Sequence, residues 1–247
     1  MTNWMLWIVI GLSSFLMFFT WLLRKKNPFS KLRQLDAYTQ LQEQNLAAFE
    51  KGKRLIFGLG GQSMLNEVSI NDISGLPVFS RLSRQIVNGD QVPQAYCSDG
   101  VLACLSQSIL DGVYKNALIP ELFSIESTLL VGANNMSFVA GLLTEINTDS
   151  NDGLIMFGSL KPEALLAVDL AHRHNLYCQA ISDSPSAQAI FYAAGCQPVI
   201  GEEYFAAGAS LKAKPIYGIS LRVQDVIRIL IIIALLVGAI VKLMGLY

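Results

Sequence analysis

The sequence is poor in charge and in the residues that most often carry out chemistry. Only 15% of its 247 residues are charged, and it contains two histidines and four cysteines. It has no G-x-x-x-x-G-K-[ST] motif for nucleotide phosphates and no G-x-S-x-G motif for a serine hydrolase. These absences exclude a P-loop nucleotidase and a hydrolase with a nucleophile elbow, and no catalytic set of residues is evident.

The four cysteines are too dispersed for the usual metal or redox motifs. Cys97, Cys104, Cys178 and Cys196 include no C-x-x-C pair, and all four lie in the middle of the chain. In a reducing compartment such residues behave as small buried apolar side chains, which is the role we predict. A zinc site assembled from all four is the alternative. We expect no metal and no cofactor.

Positive charge is scarce in the middle of the chain, and negative charge is scarce at its ends. Residues 55–211 contain five Lys and Arg against fifteen Asp and Glu, whereas residues 1–54 contain eight against three and residues 212–247 five against one. Binding to nucleic acid needs a basic surface, so the acidic middle argues against DNA and RNA as partners. Basic residues beside apolar runs indicate a lipid bilayer instead.

Two long apolar runs are present, and the first covers residues 4–23 without a charge. At about 1.5 Å per residue, such a helix spans a hydrocarbon core of about 30 Å. Its basic cluster, at 24–26, follows the apolar run, which is the reverse of a secretory signal peptide. Tryptophans stand near both ends of the run, as interfacial anchors do. We therefore predict transmembrane helix 1 here.

The second apolar run covers residues 229–247 and is interrupted only by Lys242, which is close enough to the end to reach the far interface. Arg222 and Arg228 stand just before it. Positive charge collects on the cytoplasmic side of a membrane span. Because the basic clusters of both runs face the middle of the chain, we predict a two-pass inner-membrane protein with a cytoplasmic middle and both termini outside.

These patterns divide the chain into four parts. We predict transmembrane helix 1 at 1–26, a juxtamembrane amphipathic helix at 27–52, a cytoplasmic Rossmann-like domain at 53–215 and transmembrane helix 2 at 216–247. The apolar stripe of the juxtamembrane helix, about 29–51, has three interpretations. It packs on the domain, it lies on anionic head groups beside Lys31 and Arg33, or it packs on the same helix of a neighbouring subunit.

The middle of the chain alternates short apolar runs with helical stretches. Several of the runs are almost continuously apolar, which is typical of strands that are buried on both faces of a parallel sheet. The predicted fold class is α/β, a Rossmann-like, mostly parallel sheet flanked by helices and inserted between two transmembrane helices. The predicted strands are 55–59, 94–97, 128–131, 154–157, 177–181 and 198–200, and the predicted helices are 73–87, 101–110, 136–146, 162–173, 186–194 and 203–211.

Small and polar residues follow nearly every predicted strand. In an open α/β sheet, ligands bind beyond the carboxyl ends of the strands, so this edge is the candidate ligand site. The alternative is that strand-to-helix turns need these residues anyway, for positive φ angles and for helix caps. The candidate ligand-binding residues are Gly58, Gly60, Gly61, Ser98, Asp99, Gly132, Asn134, Gly158, Glu202 and Glu203.

Two pairs of these candidates have an obvious chemical interpretation and an equally simple structural one. Gly58 and Gly60 begin a G-x-G-x-x-G dinucleotide pattern, but position 63 is serine and the next clear helix begins only near residue 73. Glu202 and Glu203 are adjacent carboxylates that can do acid/base work or hold a cation. They also suit the acidic first turn of the helix predicted at 203–211, which we favour.

The segment 201–209, GEEYFAAGA, and the segment 224–228, QDVIR, carry the one specific resemblance. They resemble the signature of a family of uncharacterised bacterial two-pass membrane proteins, described only as a domain of unknown function. The glycine-rich turn at 59–61 and the stretch around Leu76 and Pro77 are also similar, so the resemblance covers most of 50–247. It implies a membrane-anchored Rossmann-like domain, and it implies no activity and no catalytic residues.

The absence of a catalytic set and the membrane segments favour a non-enzymatic role. We expect a membrane-anchored scaffold that self-associates into a homo-oligomer. The alternative is a membrane-tethered domain that binds or senses a small molecule or nucleotide at the strand ends. An enzyme that uses Glu202 or Asp99 as an acid or base is a third and weaker hypothesis.

Overall fold

The computed structural model describes residues 35–61, 70–89, 92–197 and 199–243, together with the single residues 7, 11 and 14. The chain divides into two compact units, Gln34–Ala213 and a second unit made of Met1–Arg33 and Lys214–Tyr247. The first apolar run, at 4–23, therefore lies almost entirely outside the described residues, and so does the start of the predicted juxtamembrane helix.

The first unit is built on a five-stranded parallel sheet with the order β3-β2-β1-β4-β5. Among the described residues, helical structure follows each strand before the next strand begins, so the chain alternates strand and helix as predicted. This confirms an α/β, Rossmann-like fold. The strands are β1 (Arg54–Leu59), β2 (Gln94–Cys97), β3 (Thr128–Leu130), β4 (Asn151–Gly158) and β5 (Tyr177–Ser182).

The burial of the central strands β1 and β4 explains why their sequences are almost continuously apolar. Every residue of β1 after Arg54 is buried, and so is every residue of β4 except Asp152. Successive side chains point to opposite faces of the sheet, so both faces must be covered. Phe57 of β1 packs in the core on one face, and Ile56 packs in the core on the other.

Helices cover both faces of this sheet. The face with Phe57 is covered by α1, α3, α4 and the short α8, and the face with Ile56 by α5, α6 and α7. The helices are α1 (Asp36–Glu50), α2 (Ile70–Ile73), α3 (Leu76–Ile86), α4 (Gly100–Asn116), α5 (Asn135–Ile146), α6 (Leu165–Arg173), α7 (Pro185–Ala193), α8 (Ala207–Ser210) and α9 (Pro215–Leu243).

The described part of the juxtamembrane segment packs on the domain. Helix α1 begins at Asp36 and buries Tyr38 and Leu41 in the same core as Phe57. Asn45 extends this contact, because its Nδ2 donates to the carbonyl of Leu82 in α3 at 3.1 Å. Of the three interpretations of the apolar stripe, packing on the domain is the one observed for α1.

Several predicted boundaries were wrong. The helix predicted at 101–110, with Gly112 just beyond its expected end, is α4, and it continues to Asn116 because its last turns bury Val113 and Tyr114. The helix predicted at 73–87 begins only at Leu76, as α3, and the separate short helix α2 ends at Ile73. Gly75 separates them, where a Cβ would lie 3.0 Å from the ring of Phe157, and Pro77 stands in the first turn of α3.

Two further predictions failed near the end of the domain. Val199 and Ile200 are not in a strand, although 198–200 was predicted as one, and Ile200 is 64% exposed. Residues 203–211 do not form one helix but a 3₁₀ turn, Gly201–Tyr204, followed by α8. Tyr204, which is fully buried, anchors the 3₁₀ turn.

The cysteines follow the prediction in three cases out of four. Cys97, Cys178 and Cys196 are buried, and all four thiols are free. Cys104 is exposed on α4, which is a correction, because an apolar run of sequence does not reveal which face of a helix meets solvent.

Helix α9 is the one candidate membrane span among the described residues. The part Pro215–Ile240 is long and apolar enough to cross a bilayer, with a mean hydropathy of 2.4 and 6% of its most apolar window buried. The large apolar side chains that the structure describes in this helix after Arg228 are about half exposed or more, and they are Ile229, Leu230, Ile231, Ile232, Ile233, Leu235, Leu236 and Ile240. Just before these residues, Arg228 and Asp225 form an ion pair at 4.0 Å.

Candidate functional site

The carboxyl ends of β1 and β4 mark the place where this fold usually binds ligands. After β1 the chain continues to the face covered by α3, and after β4 it continues to the face covered by α6. Neighbouring strands whose connections leave in opposite directions open a crevice between them, the topological switch point. The residues at these two strand ends therefore define the candidate site.

The turn after β1 lies directly against neighbouring strand ends. The Gly60 N–H donates to the carbonyl of Phe157 at 3.0 Å, and the Gly61 N–H donates to Oγ of Ser98 at 3.1 Å. Gly60 has a φ of +107°, which residues with a Cβ rarely adopt. A Cβ on Gly61 would lie 2.6 Å from the carbonyl oxygen of Ser159. The packing of the strand ends therefore requires both glycines.

Gly158 closes the same contact from the side of β4. Its φ is +151°, and a Cβ there would lie 2.5 Å from the carbonyl oxygen of Gly60 and 2.8 Å from Oδ1 of Asp72. Three of the predicted ligand-binding glycines, Gly60, Gly61 and Gly158, are thus brought together at the switch point. Among the described residues, the close contacts of these three glycines are with other residues at the strand ends.

Ser98 and Asp99 follow β2 and lie beside this turn. The Ser98 N–H donates to the carbonyl of Leu59 at 3.1 Å, and the Ser98 side chain is fully buried. Asp99 is the N-cap of α4, because its Oδ1 accepts from the N–H of Val101 at 2.6 Å. Both side chains therefore have structural partners at the positions where a ligand was predicted.

Asp72 is the residue at this site that the sequence did not reveal. It is 3% exposed, and its Oδ1 accepts from the backbone N–H of Ser159 at 2.6 Å. Burial raises the pKa of Asp72 to about 6; the Ser159 N–H opposes this rise, and the charges of Asp183 and Asp99 add to it. A buried carboxylate thus holds the end of β4 in place.

A hydrogen-bond network extends from Asp72 towards β5. Asp183 accepts from Oγ of Ser159 at 3.2 Å and from the side-chain amide of Asn71. The carbonyl of Asn71 in turn accepts from the hydroxyl of Tyr204 at 2.6 Å. Burial, and then the charges of Asp72 and Asp183, raise the pKa of Tyr204 well above its usual value. The network joins α2, the ends of β4 and β5, and the 3₁₀ turn at 201–204.

Three other candidates lie away from the switch point. Gly58 is inside β1, where a Cβ would lie 3.0 Å from Leu142 of α5, so it faces the core. Gly132 and Asn134 follow the edge strand β3. Asn134 caps α5 by accepting from the N–H of Ser137 at 2.8 Å, and a Cβ on Gly132 would lie 2.4 Å from the backbone of Ser137.

Glu202 and Glu203 lie in the 3₁₀ turn at 201–204. Glu202 is exposed and Glu203 is half-buried, and the Glu203 carbonyl accepts from the hydroxyl of Tyr38 at 3.0 Å. This bond ties the turn to α1. The interpretation as an acidic first turn of a short helical element fits this position.

The chemistry of the switch point does not suit a phosphate group. A dinucleotide fold offers glycine N–H groups to the pyrophosphate, whereas here the N–H groups of Gly60 and Gly61 donate to Phe157 and Ser98. Asp72 and its charged neighbours also make the potential negative. Across the described ranges, no three His, Cys, Asp or Glu side chains are arranged to hold a metal ion.

Comparison with known proteins gives one family and no closer relative. The pattern of a family described as a domain of unknown function, DUF6754, matches residues 1–247. Searches of curated proteins and of solved structures found no match. The resemblance to an uncharacterised domain family is confirmed, while its bacterial two-pass character and its signature stay predictions. Since the match covers the whole chain, the protein belongs to the DUF6754 family.

Proposed function

We propose that this protein is a two-pass membrane-anchored scaffold whose α/β domain self-associates on the cytoplasmic side. The observation that carries the proposal is a row of exposed apolar side chains leading into and including the edge strand β3. We call it the β3-edge surface, and it consists of Leu118, Leu122, Ile125, Leu129 and Leu130, which are 85%, 53%, 69%, 41% and 54% exposed. Exposed apolar side chains gathered on an edge strand and the segment before it favour contact with another protein.

Membrane anchoring rests on helix α9 and on the apolar run at 4–23. A helix that is apolar on all sides and exposed needs a covering of lipid or protein. In the sequence, the basic residues beside each run, such as Arg228, lie between the run and the domain. By the preference of positive charge for the cytoplasmic side, the domain is cytoplasmic and both termini are outside.

The edge strand β3 favours a second copy of this chain as the occupant. Within the described residues β3 pairs with β2 alone, so its outer backbone groups are available for another strand. A two-fold axis at Leu129 would pair two β3 strands antiparallel and place Thr128 opposite Leu130, with no like charges facing each other. Anchoring in one membrane plane raises the effective concentration for this contact.

Disrupting this edge tests the proposal. Lysine on an edge strand opposes pairing, so Leu130→Lys is expected to shift the full chain in nanodiscs from oligomer to monomer by native mass measurement. The matched control is Leu166→Lys on α6, where the leucine is 48% exposed on another surface. The proposed edge contact is wrong if both variants keep the oligomer, or if both lose it equally.

Binding of a small molecule at the strand ends is the second candidate function. It is supported by the convergence of Ser98, Ser159 and Asp183 from three different strands at one edge of the sheet. The negative charge there favours an amine or a neutral polar molecule over a nucleotide. Thermal shifts with amines and nucleosides, compared with nucleoside diphosphates, test this; a shift by the diphosphates alone would contradict it.

A further inference from the structure

Two cysteines meet at the outer edge of the sheet. Cys178 is the second residue of β5, and Cys196 lies in the irregular segment that follows α7. They are 6% and 3% exposed and pack in the same core cluster. The side chains of the two cysteines interact, because a hydrogen bond between the thiols is the largest cause of the shift in the pKa of each.

Hydrogen bonds made by neighbouring backbone and side-chain groups fix the positions of these two cysteines. The side-chain amide of Gln179 donates to the carbonyl of Gln197 at 2.8 Å, so the residues next to the two cysteines are also joined. The Cys196 N–H donates to the carbonyl of Phe191 at 3.0 Å, which ties the segment to α7. The thiols are therefore positioned before any reaction takes place.

The environment distinguishes the two sulfur atoms. Hydrogen bonding by the Cys178 thiol lowers the pKa of Cys196; burial opposes this, and the backbone N–H of Ala180 adds to the lowering. The same hydrogen bond, together with burial, raises the pKa of Cys178. Cys196 also follows the exposed Gly195 in a segment without helix or strand, whereas Cys178 lies within β5, so we assign Cys196 as the attacking sulfur and Cys178 as the one that resolves the intermediate.

We infer that Cys178 and Cys196 form an oxidative modification site that a small peroxide converts to a disulfide. The Cys196 thiolate attacks one peroxide oxygen, breaks the O–O bond and becomes a sulfenic acid, and the released hydroxide takes a proton to become water. The Cys178 sulfur then attacks Sγ of Cys196 and displaces a second water. The two thiols lose two electrons and two protons, and one hydrogen peroxide is reduced to two waters.

The local structure permits this step. A disulfide requires the sulfur atoms to approach from hydrogen-bond contact to about 2.05 Å. Residues 194–197 have no helical or strand structure and include the exposed Gly195, so this segment can shift and admit a molecule as small as hydrogen peroxide. The resulting bond would tie the segment after α7 to the edge strand β5.

The other two cysteines provide an internal control. Cys97 is fully buried, burial raises its pKa to about 12, and its sulfur contacts Oγ of Ser106 at 3.9 Å. Cys104 is exposed on α4. Trypsin, which cuts after Lys and Arg, releases Cys97 and Cys104 together in peptide 85–115, and Cys178 and Cys196 together in peptide 174–212.

Mass spectrometry of the full chain in detergent tests the inference. The folded protein is treated with hydrogen peroxide and then denatured in the presence of N-ethylmaleimide, which labels the remaining free thiols. It is then digested with trypsin. We expect peptide 174–212 to go from two labels to none while losing two hydrogen atoms, and peptide 85–115 to keep both labels at the same dose. The inference is overturned if peptide 174–212 keeps both labels at doses that oxidise Cys104.

A variant pair identifies the attacking sulfur. In Cys178→Ser the sulfenic acid on Cys196 has no resolving thiol, so dimedone is expected to label position 196; in Cys196→Ser position 178 should remain unlabelled. Equal labelling in both variants would contradict the assigned order. Because the readout is chemical, it does not depend on whether the protein self-associates.

Discussion

At Gly61, a hydrogen atom in place of a side chain lets the turn after β1 lie against the turn after β4. Local sequence predicts that a glycine is useful after a strand, but it does not reveal which atoms come close. Ser159, the nearest partner of a Cβ at this position, is distant along the chain. Asp99 and Asn134, in contrast, were recognisable as polar residues before helices, because a helix cap acts within one turn of chain.

Replacing Gly61 tests this close approach. Gly61→Ala is expected to lower the free energy of unfolding by about 1–3 kcal/mol, because the new Cβ would meet backbone atoms of Ser159 and Leu160 at 2.6–2.9 Å. Gly112→Ala in α4 is the matched control: no atom lies within 4 Å of its Cβ, and we expect a gain of about 0.5–1 kcal/mol. Urea unfolding of the detergent-solubilised chain, followed by circular dichroism, measures both.

Asp72 makes stability depend on pH. Its pKa rises from 3.8 to about 6 on folding, so the folded chain binds the proton more tightly, and the free energy of unfolding falls as the pH rises from about 4 to about 6. Asp72→Asn removes the charge and keeps an acceptor for the Ser159 N–H. We expect its stability relative to the unaltered chain to increase over this range by up to about 3 kcal/mol.

The same unfolding experiment at pH 4, 5, 6 and 7 measures this difference. Asp72→Ala serves as the control, because it leaves the Ser159 N–H without its acceptor and should be less stable than Asp72→Asn at every pH. A stability difference between Asp72→Asn and the unaltered chain that is the same at all four pH values would contradict the assignment. The sequence could not indicate this role, since it arises from packing between α2 and β4.

At the scale of elements, apolar runs located the five observed strands to within a few residues, because both faces of the sheet are buried. Helix ends were less predictable. Gly112 looked like the end of α4, but burial of Val113 and Tyr114 outweighs the cost of about 1 kcal/mol for a glycine within the helix. Residues 198–200 were predicted as a strand from their composition alone, and Val199 and Ile200 are not in a strand.

Helix α9 allows a test of membrane insertion. Leu235→Arg places a charge near the middle of the apolar run and costs about 2.5–3.5 kcal/mol of insertion. We expect a reporter fused after residue 247 to lose its protection from a protease added on the cytoplasmic side. Ile229→Arg, at the start of the run, should leave the reporter protected because the arginine reaches the interface. Cleavage of the reporter in the unaltered chain as well as in both variants would argue against α9 as a span.

At the scale of the whole molecule, the proposed arrangement predicts the side on which the domain lies. Cys104 is exposed in the domain, so it reports the accessibility of the domain to a membrane-impermeant maleimide. We expect labelling of peptide 85–115 in inside-out vesicles and none in intact cells. Tyr247→Cys in a Cys104→Ser background should give the opposite pattern. Labelling of Cys104 in intact cells would reverse the predicted topology.

Fold and function differ in how far the sequence predicts them. The alternation of strand and helix is a local property, so the Rossmann-like fold could be inferred from periodicity. The switch point depends on contacts between distant residues, and Asp72, Asn71 and Tyr204 become a network only in three dimensions. The β3-edge surface was invisible for the same reason, because Leu129 and Leu130 resemble the apolar residues of any buried strand.

The native mass of the unaltered full chain in lipid nanodiscs tests the central claim most directly. The account predicts an assembly of two or more copies that persists on dilution, held in part by the β3-edge surface. A monodisperse monomer at every concentration would contradict the scaffold proposal, whatever the stability of the α/β domain.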